Sequence, residues 1–144
     1  MERFWLLSFL LLAAPQVVAR SADQCPALPI GSGLEWTHSA GIDFDICRAH
    51  ANGSTETAFG IFLGNHPSFK PELATPIGDG EVAARRVTWY RQDAGASASD
   101  LSRQTLLTLD QKSGYVAHIW LVAGTEQQLA DRLSILKRIV FKSP

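Results

Sequence analysis

The chain lacks most of the features that announce a chemistry. No Gly-x-Gly-x-x-Gly follows a strand-like run and no Gly-x4-Gly-Lys-Ser/Thr occurs, so neither common phosphate cradle is present. No Gly-x-Ser-x-Gly elbow positions a serine nucleophile. His38, His50, His66 and His118 are scattered, without the HxH, HExxH or HxxxH spacing that brings two imidazoles onto one metal by local geometry. The two cysteines form no CxxC pair. Excess charge of either sign is also missing: 13 basic and 14 acidic residues give a net charge of −1. A basic stripe for nucleic acid or a polybasic membrane patch is thereby excluded.

Long hydrophobic runs are scarce too. The longest is FWLLSFLLLAA, Phe4 to Ala14, 11 residues, against the roughly 20 that cross a bilayer as a helix. Arg3 precedes it, and Pro15 and small residues follow. That order of charge, apolar run and small-residue exit is the pattern of a cleavable secretory signal peptide, and Cys25 lacks the approach of a lipid-modified cysteine. Val17 and Ala19 fit the small-residue pattern for a cut after Ala19, and a cut after Ala22 is the other possibility; with the latter the signal segment covers 1–22 and one domain covers 23–144. Without Glu2, Arg3 and Arg20, 11 basic and 13 acidic residues remain, a formal charge of −2. The mature chain is expected to be periplasmic or secreted, with no stable membrane insertion. In an oxidising compartment Cys25 and Cys47 read as a disulfide.

The mature sequence is mostly strand-like. Ile42, Phe44 and Ile46 alternate with Asp43, Asp45 and Cys47, which predicts a half-buried strand with the isoleucines and Phe44 towards the core. Asn52-Gly53 offers positive φ for a tight hairpin into a second strand, Thr57–Gly64. GLEW is a further edge-strand candidate. Residues 64–81 carry three prolines and read as a long connection with at most one helical turn. Residues 81–92 resume strand composition, and 93–104 read as a mobile loop. Thr105–Asp110 and Tyr115–Gly124 form a hairpin across QKSG. The closing segment is an amphipathic helix: Thr125 caps it, Gln128 completes the box spacing, and Leu129, Leu133, Leu136 and Val140 form its apolar stripe. Ile139–Phe141 favour a short return to extended structure.

The predicted fold is α+β, an antiparallel β-sheet of about five strands with one C-terminal amphipathic helix packed on one face. The order of strands and closing helix resembles the layout of Mog1/PsbP-like domains. That resemblance is one of element order, carries no diagnostic motif, and implies no residue role or activity.

Candidate chemistry is sparse. Asp43 and Asp45 on one strand face are two carboxylates, too few alone for the six to eight oxygens that calcium takes. Ala84–Gln92 interleaves Arg86, Trp89 and Tyr90, residue types enriched at binding hot spots. His66 and Phe69 lie in the long connection, where loops carry contact residues. The binding residues assigned are therefore Arg86, Tyr90, His66 and Phe69, with no catalytic residue, cofactor or metal. The functional expectation is an exported binding module that engages another envelope or secreted protein, as an inhibitor or assembly factor, and no nucleic acid. The alternatives are a small hydrolase pairing His66 or His118 with Asp43 or Asp45, and a carrier of a small apolar ligand between sheet and helix.

Overall fold

The computed structural model describes residues 24–92 and 101–143. The expected signal segment and most of the 93–104 loop lie outside the described residues. Seven strands form one antiparallel sheet: β1 (Leu34–Ala40), β2 (Phe44–Ala51), β3 (Thr57–Gly64), β4 (Pro76–Val82), β5 (Arg85–Arg91), β6 (Arg103–Asp110) and β7 (Tyr115–Leu121). Helix α1 (Glu126–Arg138) closes the chain, so the fold is α+β with more strands than expected. The sheet order is β1-β2-β3-β7-β6-β5-β4. Two meanders thus meet where β3 pairs with β7, and the connection after Gly64 carries the chain from one to the other.

The two additional strands come from a hidden hairpin and an edge. β4 begins inside the segment read as a connection, whose Pro and Gly residues are tolerated because β4 is an edge strand starting at Pro76 with a register shift before Gly78. β4 turns into β5 at Ala83 and Ala84, which adopt φ of 50° and 60°. Left-handed backbone costs an L-residue roughly 1–2 kcal/mol. Here the turn amides offset it: Ala83 N–H donates to Leu136 C=O (2.9 Å) and Ala84 N–H to Lys137 C=O (3.1 Å). Those carbonyls belong to the last turn of α1, where no helical donor remains. At the helix start, Thr125 Oγ1 accepts from Gln128 N–H at 3.1 Å, and the Gln128 side chain accepts from Gly124 N–H at 2.9 Å. The cap read from the sequence is therefore formed.

The apolar stripe is only partly as expected. Leu129 and Leu136 are buried, but the helix ends at Arg138, Val140 is exposed, and Ile139 is buried instead. Val140 makes an isolated antiparallel bridge to Ala27. That bridge, the Cys25–Cys47 disulfide and a 2.7 Å bond from Trp36 Nε1–H to Pro26 C=O fasten the N-terminal segment over the same sheet face as α1.

This fastening reverses the faces expected for β2. Cys47 and Ala49 are fully buried and Asp45 nearly so, whereas Ile42 is almost fully exposed and Phe44 and Ile46 are half-buried. Period-two alternation identifies which residues share a face but not which face is covered. The disulfide requires Cys47 to look towards the N-terminal segment. The covered face also holds Phe59, Ile61, Ala117, Ile119, Leu121, Val87 and Trp89. At the β2–β3 turn only Gly53 takes positive φ, at 79°, with Ser54 N–H donating to Ala51 C=O; Asn52 does not join it.

Candidate functional site

The face away from α1 is the more informative one. Register aligns Ile46, Phe62, His118 and Leu106 across β2, β3, β7 and β6. Two residues along, Arg48, Gly60, Trp120, Gln104 and Tyr90 form the next row, which runs on to β5. Gly60 is the key to this second row. A Cβ there would collide with the Trp120 indole, so the absence of a side chain lets that ring lie across β3. Phe62 also stacks on Phe44, with centroids 5.5 Å apart.

Over these rows lies Phe69 from the connection after β3. Its ring stacks on His118 (centroids 5.1 Å, interplanar angle 22°) and meets Tyr90 edge-on at 5.6 Å. His118 in turn lies 5.6 Å from Trp120. The result is a continuous run Tyr90–Phe69–His118–Trp120, all half-buried. His118 Nε2 sits 3.0 Å from Gln104 Oε1, so Nε2 carries the proton and donates. Burial among these rings pushes the His118 imidazole down to about 4, because desolvation disfavours the charged form. With the imidazole neutral, the Gln104 amide and the Tyr90 hydroxyl are the polar handles of the cluster.

Three of the four binding residues assigned from sequence come to this region. Phe69 and Tyr90 touch, and exposed His66 shares a shallow cleft of about 420 Å³ with Phe69, Lys70 and Leu106. Arg86 is placed elsewhere. It lines an open cleft of about 980 Å³ between α1 and the β4–β5 hairpin, with Asp79, Glu81, Arg103 and Lys137. Four residues of strand rise, about 13 Å, separate it from Tyr90. In that cleft Lys137 Nζ lies 3.8 Å from Glu81 Oε2, and burial lowers the Arg103 pKa, opposed by Glu126. Trp120 and Gln104 were not assigned from sequence. The signal available was their cross-strand alignment with Tyr90, which needs the β5–β6–β7 order.

Among the described residues, Asp45 and His118 are bonded to partners other than each other. Asp45 is engaged on the covered face by His38, Nε2 to Oδ1 2.8 Å, both side chains nearly buried. His118, on the opposite face, bonds to Gln104, and Asp43 is exposed beside the β1–β2 turn. Beneath α1, Leu129, Leu136 and Trp89 pack in the core, and the cleft beside the helix is open and charge-lined. Among the described residues, no group of three or more His, Cys, Asp or Glu side chains is placed to hold a metal ion, and no helix is long and apolar enough to cross a membrane. No family model, curated protein or solved structure matches the chain.

Proposed function

We propose that the chain is an exported binding module and that the Tyr90–Phe69–His118–Trp120 face is where it engages another envelope or secreted protein, as an inhibitor or assembly factor. The observation that carries this reading is the contrast between the two sheet faces. One is sealed by α1, the N-terminal segment and the disulfide. The other leaves a run of four contacting rings half-exposed around Gln104. Aromatic rings supply large contact area with few rotatable bonds, and they are enriched at the anchors of protein interfaces. Export is supported by the apolar N-terminal run and is weakly favoured by the disulfide.

The test compares capture of interacting proteins from envelope and culture fractions by the wild-type chain and by Phe69→Ser with Trp120→Ser. A specific protein retained by the wild type and lost with the double variant supports the proposal. A partner held equally by both refutes this placement of the site.

A further inference from the structure

The two edges of the sheet are unequal. β4 begins at Pro76, carries an irregularity at Gly78, and its closing turn is bonded to α1. These are devices that blunt an edge. β1 has none of them: LEWTHSA is seven residues long, has one charge and no proline or glycine. Among the described residues its only strand neighbour is β2.

The phase of the β1–β2 ladder shows which backbone groups of β1 point outward. Gly41 N–H donates to Phe44 C=O and Asn52 N–H to Gly33 C=O. Odd-numbered residues therefore bond towards β2, and Trp36, His38 and Ala40 turn their N–H and C=O groups away from the sheet. Leu34 does so too, with its N–H accepted by Ser32 Oγ.

We propose that β1 pairs antiparallel with β1 of a second copy of this chain, with Thr37 on the twofold axis, joining the two sheets edge to edge. The outward groups require that even-numbered residues face even-numbered ones, and centring on Thr37, the midpoint of Leu34–Ala40, is the register that pairs the strand over its whole length. It places Trp36 opposite His38 of the second copy, so that both exchange backbone bonds, and Ala40 opposite Leu34. Thr37 faces Thr37 as a non-bonded pair, where side chains approach most closely. Glu35 faces Ser39 rather than Glu35, so no like charges meet. The flanking residues support the same occupant. Ile30 and Ile42 are almost fully exposed at the two ends of β1, and the antiparallel register brings Ile30 of each copy to the end that carries Ile42 of the other. This inference is independent of the aromatic face.

Sedimentation velocity of the purified protein, combined with single cysteine substitutions, tests it. Across the micromolar range a species of twice the chain mass is expected. Thr37→Cys is expected to give an interchain disulfide under mild oxidation, since facing non-bonded pairs lie about 4.5 Å apart at Cα, within disulfide range. Ser39→Cys, out of register with itself, stays uncrosslinked. Thr37→Lys raises the dimer dissociation constant at least tenfold. Monomer throughout, or a dimer indifferent to Thr37→Lys and not trapped by Thr37→Cys, overturns the inference. Should the lysine variant fail to fold, the cysteine pair decides alone.

Discussion

Protonation of His118 should weaken the fold, because its ring is held neutral by burial between Phe69 and Trp120. The imidazole pKa falls from 6.5 to about 4, so between those values the unfolded chain binds a proton that the folded chain refuses. Stability is untouched above pH 6.5, declines as pH falls through the window, and levels off below about pH 4. The full shift corresponds to roughly 3 kcal/mol at 1.36 kcal/mol per unit. The ring is only half-buried, and a new cation against two aromatic faces recovers some energy, so about 2 kcal/mol is the working figure. Urea denaturation at pH 7 and pH 4 on the wild type and His118→Gln isolates this contribution, since the other titrating groups are common to both. The variant should be less stable than the wild type at pH 7, through lost stacking, and should close that gap at pH 4. A two-dimensional NMR titration of the ring protons gives the midpoint directly. A His118 midpoint near 6.5, or a gap that is the same at both pH values, would refute the burial argument.

Three further outcomes follow from the same structure. Replacing both Cys25 and Cys47 with alanine removes a crosslink spanning 22 residues and is expected to cost about 3 kcal/mol on the chain-entropy model, read as a lower urea midpoint; an unchanged midpoint contradicts the role given to the N-terminal fastening. Ala84→Gly relieves left-handed backbone at φ 60° while keeping the amide that caps α1, so stability should rise by up to about 1 kcal/mol after the added unfolded-state entropy, measured by calorimetry. Gly60→Ala drives a methyl into the Trp120 indole and should cost about 1–3 kcal/mol with a shift in tryptophan emission; a variant with wild-type stability and spectrum would show that Trp120 does not lie across β3.

The sequence carried the local pattern well and the global sidedness poorly. Strands β3, β6 and β7 and the Thr125–Gln128 cap were legible because alternation, the QKSG turn and the box spacing are short-range signals. The β4–β5 turn was not, since Ala83 and Ala84 carry no mark of positive φ; α1 imposes it by accepting their amides. The face of β2 was misread for a related reason. Ile42, Phe44 and Ile46 are the more apolar set, yet the disulfide holds Cys47 inward, so Phe44 and Ile46 join the half-exposed face and Ile42 lies exposed in the turn before β2. That inversion also buries Asp45 against His38 instead of leaving two surface carboxylates. The aromatic cluster was half legible: Tyr90 and Phe69 could be named from residue type, but Trp120 and Gln104 join them through a strand order that residues far apart in sequence create. Arg86, assigned with Tyr90 on composition, belongs to a different cleft because side chains four residues apart on a strand are well separated.

The central claim, that the open aromatic face makes the contact, is tested most directly by site-specific photocrosslinking. A benzoylphenylalanine at position 90 replaces an aromatic ring at the edge of the cluster, and one at exposed Ser134 on α1 reports the opposite face. Irradiation in cells that produce the protein should join a discrete partner to the position 90 probe and leave the position 134 probe uncrosslinked. A partner crosslinked from position 134 and absent from position 90 would contradict the account.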